Sequence, residues 1–404
     1  MKRKVLFFNH ASVIGGAGLS LLSIIDSLDK QKYDITVYCT ANKTQIAEQL
    51  EKRGINVIRA MNSPACYMQY NGGARSILSP RYYKNLIKIQ KDKARIKNAI
   101  EKVKPDLVVV NSMTLAWIGK LAKKAGCETI CFHRESYANG WLNIRKRKLA
   151  KSLDKYFDKI AFISNFDMKE TCLKRAKGMV IPDCVEVDKY DKISKEQARE
   201  KLGLDKNAFY VLFVGGISKL KGLHVAMQAI SESKNPNAKL LVLNAKNFEK
   251  PQKEKGIKQK IKSLIYFDEV KFAYKKYKKL VNKDRIIFLP PSDEVHEWYA
   301  ACDVVVFPST KAHQAVPIYE AGVAKRLMII SDYPNTQEYL RDLENGLTFK
   351  PLNSSELSKK IDWASENAQS AQYKKMIEQN EAMTIQKHKL EDYGLAIRKM
   401  FDNE

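Results

Sequence analysis

A strand-like run ends in a glycine-rich turn that carries two lysines. Residues 210–214 are apolar, and Gly215, Lys219 and Lys221 follow before a stretch with helical periodicity. Glycine lets backbone N–H groups approach a ligand, and the N-terminus of a helix favours an anion. A lysine in such a turn adds a point charge, so the segment is suited to a diphosphate. The alternative interpretation is a surface loop with solvated lysines.

A second turn of this kind follows the first strand-like run. It contains Gly15 and Gly16, between residues 5–9 and a helical stretch over residues 19–28. The glycines lack the Gly-x-Gly-x-x-Gly spacing of a dinucleotide site, and no acidic residue for a ribose follows the next strand-like run. The turn therefore predicts a close backbone approach to an anionic ligand, with a plain tight turn as the alternative.

A carboxylate follows a third strand end. The run Val304–Phe307 stops at Pro308 and Ser309, and Glu320 lies near the start of the next predicted helix. Negative charge is favoured at that end of a helix. A carboxylate there can accept both hydroxyls of a ribose, or it can stabilise the helix without a ligand.

Short β-branched runs that alternate with amphipathic helical stretches predict buried parallel strands. The runs are 5–9, 35–38, 107–111, 129–133, 160–164, 210–214, 239–243, 285–289, 304–307 and 327–330. Because the pattern restarts after residue 205, we expect two doubly wound α/β sheets, with ligands at the carboxyl ends of their strands. The predicted domains are residues 1–185 and 186–375, followed by a C-terminal helix over 376–404 that packs on the first domain.

An ordered series of short motifs covers nearly the whole chain. The series is Gly15-Gly16, Phe132-His133-Arg134-Glu135-Ser136, Ile163-Ser164, Val180-Ile-Pro182-Asp-Cys-Val185, Val214-Gly215, Lys221-Gly222, Pro308-Ser309, Glu320-Ala321 and Asn345-Gly346-Leu347. In this order and spacing the chain resembles the retaining glycosyltransferases of family 4, also called group 1. The resemblance implies the GT-B fold, in which an acceptor-binding and a nucleotide-sugar-binding Rossmann-like domain face each other across a cleft.

The resemblance also implies roles for individual residues. Lys221 matches the lysine that contacts the donor diphosphate, and Glu320 matches the glutamate that binds the nucleotide ribose. His133 matches a histidine near the reacting phosphate and sugar, and Glu135 is the second polar candidate beside it. The predicted catalytic residues are therefore His133, Glu135 and Lys221. For the first two, a buried core histidine and a simple ion pair with Arg134 are the alternatives.

The remaining predicted donor-binding residues belong to the same motifs. They are Gly15, Gly16, Gly215, Lys219, Ser309, His313 and Gln314. His313 and Gln314 are included because the sequence departs from the family nearby. Ala312 stands where a glutamate that contacts the donor sugar is usual, so His313 or Gln314 is expected to make that contact instead. Lys219 is predicted as a substitute cation because Gly216 occupies the position of the family's arginine.

The predicted reaction needs no metal and no cofactor beyond the nucleotide-sugar donor. The sequence has no Asp-x-Asp motif to hold a divalent ion, so lysine and the helix dipole stabilise the leaving diphosphate instead. By resemblance the anomeric configuration is retained through front-face attack, with the leaving phosphate oxygen helping to deprotonate the acceptor.

The net charge of +26 predicts an anionic partner. Two segments combine aromatic and basic residues, around Arg81-Tyr82-Tyr83-Lys84 and around Trp141 with Arg145-Lys146-Arg147-Lys148. They fit peripheral contact with an anionic membrane and a polyprenyl-linked or glycan acceptor, with solvated helix faces as the alternative. Residues 246–283 are basic but interleaved with apolar residues, which favours a helical insertion over a nucleic-acid surface.

A cytoplasmic location is predicted, because the apolar run after Met1 is too short for a signal peptide. The seven cysteines indicate buried thiols rather than disulfides or zinc ligands. Three other functions stay open at this stage: a nucleotide-sugar 2-epimerase, a non-catalytic subunit of a transferase pair, and a nucleic-acid-binding protein. Product analysis, slow donor hydrolysis and salt-dependent binding separate them from the transferase.

Overall fold

The protein divides into two compact units, Met1–Asp183 with Leu390–Glu404, and Cys184–Lys389. The structure is a computed structural model. It describes residues 1–10, 16–40, 45–62, 64–71, 73, 76–190, 192–246, 248, 269–314 and 316–402. The predicted donor residue Gly15 and most of the predicted insertion over 246–283 lie outside these residues.

The first unit contains a seven-stranded sheet. Its strands are β1 (Arg3–Phe8), β2 (Tyr33–Thr40), β3 (Asn56–Ala60), β4 (Leu107–Val110), β5 (Glu128–His133), β6 (Lys159–Phe162) and β7 (Lys177–Val180). Its helices are α1 (Gly16–Ser27), α2 (Gln45–Lys52), α3 (Pro80–Val103), α4 (Trp117–Lys124), α5 (Ile144–Tyr156) and α6 (Asn165–Thr171). The strands pair in parallel in the order β3-β2-β1-β4-β5-β6-β7, so all their carboxyl ends lie at one edge.

The second unit contains a six-stranded sheet. Its strands are β8 (Phe209–Phe213), β9 (Ala238–Val242), β10 (Ile286–Phe288), β11 (Val304–Phe307), β12 (Leu327–Ser331) and β13 (Leu347–Phe349). Its helices are α7 (Lys195–Lys201), α8 (Leu223–Glu232), α9 (Glu269–Tyr277), α10 (Val295–Ala301), α11 (Pro317–Val323), α12 (Ser354–Glu366) and α13 (Ala371–Lys387). The order β10-β9-β8-β11-β12-β13 is again parallel throughout.

The central strands are buried on both faces, as a doubly wound sheet requires. The four residues of β4 are fully buried, and the four of β11 are at most 2% exposed. Separate apolar clusters form on the two faces of the second sheet, around Phe213 and Phe349 on one and Tyr299 and Phe307 on the other. Each sheet is therefore covered by helices on both sides, which confirms the predicted α/β class.

The C-terminal segment leaves the second unit later than the predicted boundary at residue 375. Helix α13 packs on α11, where Asn380 Nδ2 donates to the Ile318 carbonyl at 3.2 Å. The final helix, α14 (Leu390–Asp402), packs on the first unit. There Phe401 stacks on Phe7 with ring centroids 6.1 Å apart, and Asp402 accepts a hydrogen bond from Tyr33. The chain passes from the second unit to the first between residues 389 and 390. Helix α13 belongs to the second unit because it packs on α11 there.

No helix among the described residues is long and apolar enough to span a bilayer.

Candidate functional site

The glycine turn, residues 215–222, joins β8 to α8 at the carboxyl edge of the second sheet. Gly222 has a φ of 84°, and a Cβ at this position would overlap the carbonyl oxygen of Pro308. The Thr310 backbone N–H donates to the Leu220 carbonyl at 2.8 Å. The turn therefore rests directly on the segment after β11, and α8 begins at this edge with the positive end of its dipole.

Glu320 lies in the first turn of α11, close to the same edge. Tyr190 donates a hydrogen bond to Oε1 at 3.2 Å, and Tyr299 donates to Oε2 at 2.6 Å. Burial raises the pKa of Glu320, while the two tyrosine hydrogen bonds and the charge of Lys221 oppose this rise. The tyrosines fix the carboxylate, and each oxygen keeps a lone pair for a further donor.

Lys221 is the cation of a cluster that also contains Glu320 and His313. Burial lowers the pKa of Lys221, and the negative charge of Glu320 opposes that effect. Burial and the charge of Lys221 together lower the pKa of His313 to about 4, so its imidazole is neutral at pH 7. The backbone carbonyl of His313 accepts a hydrogen bond from Asn335 Nδ2 at 3.0 Å, which anchors the segment that follows β11. The fold thus brings Lys221, His313 and Glu320 together.

The other predicted donor residues of the second unit lie around this cluster. Ser309 is buried, and its backbone N–H donates to the Phe307 carbonyl at 2.9 Å. Gly215 starts the glycine turn, and Gln314 is partly buried beside His313.

Lys219 extends towards α9 instead. Its ammonium lies 4.9 Å from the centre of the Phe272 ring, and its backbone N–H donates to Glu269 at 3.3 Å. A cation above an aromatic face is stabilised there. Lys219 therefore has a contact away from Lys221, and its role as a substitute cation stays a prediction.

His133 is the last residue of β5 and is completely buried. Its ring packs against Tyr137 and Phe162, with centroids 5.1 and 4.9 Å away. Neither ring nitrogen has a hydrogen-bond partner among the described residues. Burial lowers the pKa of His133 to about 3. The imidazole is neutral and reaches no solvent, so its predicted contact with the substrate stays a prediction.

Glu135 lies two residues beyond the end of β5. Its carboxylate accepts hydrogen bonds from the Ser112 hydroxyl and, at 3.2 Å, from the Met113 backbone N–H. Burial raises the pKa of Glu135 to about 7. The neighbouring Arg134 forms its ion pair with Asp183, at 2.6 Å, so the simple Glu135–Arg134 pair is not the main contact of either residue.

The second glycine turn is described only from Gly16 onward. Gly16 is exposed at the first position of α1. The Ala17 carbonyl accepts a hydrogen bond from Asn111 Nδ2 at 2.9 Å, and Arg134 Nε donates to Asn111 Oδ1 at 2.9 Å. The start of α1 is thus connected to the ends of β4 and β5.

Two family models match consecutive parts of the chain. Glycosyltransferase Family 4 matches residues 14–189, and Glycosyl transferases group 1 matches residues 194–383. The chain belongs to the family 4, or group 1, glycosyltransferases. Together the matched ranges include every predicted site residue and most of each unit, so the enzyme class applies to the chain as a whole.

Solved glycosyltransferase structures share the fold of this family member over its whole length. HepE of Anabaena in complex with UDP and glucose has a TM-score of 0.75 and 17% identity, with 100% of both chains covered. A glycosyltransferase from Rickettsia africae has a TM-score of 0.73 and 18% identity, with 100% of this chain and 98% of that chain covered. Sucrose-phosphate synthase from Thermosynechococcus elongatus gives 0.70 and 16%, with 100% and 99% covered. No curated protein sequence matches the chain significantly. The predicted GT-B fold is confirmed.

Two tyrosines of this glycosyltransferase were missed in the sequence. Tyr190 lies 130 residues before Glu320, and Tyr299 lies in the preceding helix, α10. Tyrosine hydroxyls at these distances along the chain carry no local motif, so no sequence signal indicated the pair. They hold the carboxylate that the sequence did predict.

The carboxyl of Glu135 makes the stability of the glycosyltransferase depend on pH. Its pKa is about 7 in the folded protein and about 4.5 when unperturbed, so between these values the folded state binds more protons than the unfolded state. The stabilising contribution of the neutral Glu135 carboxyl is fully present below about pH 4.5. It is lost as pH rises through about 7, so the stability of the protein falls over this window. Glu135→Gln cannot ionise, so its melting temperature should rise relative to the wild type between pH 5 and pH 8.

Thermal melts at several pH values measure this difference. Glu48→Gln, an exposed carboxylate on α2 of the same unit, is the matched control and should give a much flatter difference. A difference for Glu135→Gln that does not change between pH 5 and pH 8 would show that this carboxyl titrates normally.

Proposed function

We propose that this glycosyltransferase moves a sugar from a UDP- or GDP-sugar to a lipid-linked or glycan acceptor, with retention of configuration and without a metal. The observation that carries the proposal is the cluster of Lys221 and Glu320 beside the N-terminus of α8. We place the reaction in the synthesis of a bacterial surface polysaccharide, on the cytoplasmic side of the membrane.

The cluster has the parts that a nucleotide diphosphate needs. The positive end of the α8 dipole and the ammonium of Lys221 can both stabilise the diphosphate. Glu320, held by Tyr190 and Tyr299, can accept the two ribose hydroxyls. HepE, whose fold is similar, has been solved with UDP and with UDP-glucose, which supports a uridine nucleotide. The thermal-shift experiment described below distinguishes UDP from GDP.

The chemistry that we propose breaks the bond between C1 of the sugar and the diphosphate oxygen. That electron pair stays on the leaving diphosphate, where preorganised positive charge stabilises it. The acceptor oxygen forms its bond to C1 on the same face, and its proton passes to the leaving phosphate oxygen. In this proposal Lys221 stabilises the charge that develops on the diphosphate, and neutral His313 or Gln314 contacts the sugar in place of the family's glutamate.

The proposed reaction needs no divalent ion, because Lys221 and the α8 dipole supply the positive charge. One group of potential ligands occurs among the described residues: Glu294, His296 and Glu297, with ligand atoms within 4.8 Å of one another. Glu297 already pairs with Lys201 at 2.5 Å. This group fits an ion pair between α7 and α10, and the donor experiment below includes EDTA to test the point.

We propose that the first unit contacts an anionic membrane through the amino-terminal ends of α3 and α5. Large apolar side chains are exposed there, including Leu78 at 88% and Leu142 at 63%. Residues 80–91 and 141–153 contain no Asp or Glu and are rich in Lys and Arg. Exposed apolar groups among cations suit an anionic lipid surface. Co-sedimentation with anionic but not with neutral vesicles would support this contact, and equal binding to both would contradict it.

A thermal-shift experiment with nucleotides tests the donor site. A ligand that binds only the folded state raises the melting temperature by mass action. UDP or GDP should raise it equally in EDTA and in Mg²⁺, and Glu320→Gln should remove most of the shift, because the amide cannot accept both ribose hydroxyls. Glu344→Gln, an exposed carboxylate in the same unit, is the control and should keep the full shift. A shift that requires Mg²⁺, or that survives in Glu320→Gln, would contradict the proposed site.

A further inference from the structure

The first unit has a pocket of about 190 Å³ where the two aromatic and basic segments meet. It lies between the start of α3, the start of α5 and the segment that follows β3. The principal side chains that line it are Tyr67, Gln69, Tyr82, Leu86, Arg145 and Leu149. The pocket is smaller than the roughly 300–1,000 Å³ of sites for drug-sized ligands, so it is suited to a group of about one sugar ring.

Two side chains that line this pocket each have a buried polar atom with no partner among the described residues. One is the buried Nη1 atom of Arg145. The guanidinium of this residue lies over the Tyr82 ring, 5.1 Å from the ring centroid. The other is Oε1 of Gln69, a side chain that is only 5% exposed and whose Nε2 donates to the Ala138 carbonyl at 2.7 Å. Unpaired buried polar groups cost free energy, so a small shift of these side chains towards a ligand that supplies both an acceptor and a donor is favoured.

The electrostatics of the pocket select the charge of that ligand. Arg145 and Lys148 are both part of the lining, and none of the lining residues carries a carboxylate. Two cations with no counter-ion among the described residues favour an anionic phosphate group, which a guanidinium can bind with two parallel hydrogen bonds. Tyr67 and Tyr82 also line the pocket and add apolar ring atoms against which a sugar can pack, and Oε1 of Gln69 can accept from a sugar hydroxyl.

The pocket is close to the predicted catalytic residues of the same unit. The Ala138 N–H donates to the Gln69 carbonyl at 3.0 Å, and the Asn71 N–H donates to the Ser136 carbonyl at 3.0 Å. The segment over residues 69–71 is therefore tied to the residues directly after Glu135. A ligand in the pocket lies at the carboxyl edge of the first sheet, where an acceptor is expected.

We propose that this pocket binds a phosphorylated sugar and that this group is part of the acceptor. The second half of the proposal rests on the proposed transferase function, whereas the binding site itself does not. The phosphorylated sugar has two possible sources, a free sugar phosphate or the headgroup of a lipid-linked one. Both present sugar hydroxyls to Gln69 and at least two terminal phosphate oxygens to Arg145, although the lipid-linked phosphodiester carries one negative charge where the free monoester carries up to two.

Calorimetric titration of the full chain tests the pocket. Glucose 1-phosphate should bind at least tenfold more tightly than glucose or inorganic phosphate. Arg145→Ala should weaken it at least tenfold, and Arg145→Lys should weaken it less than Arg145→Ala because the charge remains. Arg147→Ala removes the same charge from an exposed position on α5 and should change the affinity by less than twofold. Without ligand, Arg145→Ala should melt at or above the wild-type temperature, because it removes an unpaired buried group.

Titration with a second ligand distinguishes the two possible sources of the sugar phosphate. Glucosyl dodecyl phosphate, in which the phosphate carries an alkyl chain, should bind more tightly than glucose 1-phosphate if the acceptor is lipid-linked and equally if it is free. Equal weakening by Arg145→Ala and Arg147→Ala, or no binding of glucose 1-phosphate, would overturn the proposal. Because UDP stabilisation is measured on the same protein, a failure of the donor site is recognised separately.

Discussion

Replacement of Lys221 by alanine should lower kcat roughly 10²–10³-fold, the cost of removing one preorganised group that stabilises developing charge. Lys221 is the partly buried cation coupled to Glu320 beside the N-terminus of α8. The diphosphate gains most of its charge as the sugar bond breaks, so the loss should fall on kcat more than on the KM for the donor. Steady-state kinetics of donor consumption measure both constants.

Lys219→Ala is the matched control for this result. The two lysines belong to the same glycine turn, but the ammonium of Lys219 lies over Phe272. We expect its replacement to lower kcat by less than tenfold. If Lys219→Ala costs more than Lys221→Ala, the assignment of the two lysines is reversed and the resemblance has misplaced the diphosphate.

Replacement of Gly222 by alanine should destabilise the second unit by about 3 kcal/mol and abolish donor binding. The φ of 84° costs a non-glycine residue roughly 1–2 kcal/mol. The added Cβ also overlaps the Pro308 carbonyl oxygen, and such overpacking costs about 1–3 kcal/mol more. Relief of this overlap must move the glycine turn or the segment with Ser309, both of which belong to the donor site. Urea unfolding and UDP titration measure the two effects.

Gly203→Ala separates backbone strain from the overlap. Gly203 also has a positive φ, 65°, but nothing lies within 4 Å of an added Cβ. Its replacement should cost only about 1–2 kcal/mol and leave UDP binding unchanged. Equal destabilisation by the two replacements would mean that the glycine turn does not rest on Pro308 as described.

The fold was predictable where strands are central and buried. All ten predicted strands exist in the structure, and their ends differ by a few residues, as with residues 35–38 against Tyr33–Thr40. The three strands that the sequence did not indicate, β3, β7 and β13, all lie at sheet edges. Edge strands are paired on one side only, so they need no continuous apolar run. In β3 the side chains are exposed or half-buried, and β7 contains a lysine and a glycine.

The candidate site was predictable where it follows strand ends. Glycine turns and carboxylates after strands keep a local signature, which is why Lys221 and Glu320 were found from their motifs. The contacts that hold them are not local. The hydrogen bond from Tyr190 to Glu320 and the pocket formed by Gln69, Tyr82 and Arg145 depend on how distant segments pack. The raised pKa of Glu135 was not predictable for the same reason. It follows from burial of the carboxyl in the fold rather than from its neighbours in the sequence.

The central claim, metal-independent transfer with retention, is tested most directly by slow hydrolysis of the donor in EDTA. Proton NMR should show sugar released from an α-linked UDP- or GDP-sugar first as the α-anomer, at the same rate with and without EDTA. The β-anomer as first product would contradict retention, and a reaction that stops in EDTA would contradict the role of Lys221 as substitute for a metal. Nucleotide binding without any hydrolysis would favour a non-catalytic subunit, for which Ala312 in place of the family's glutamate would be the explanation.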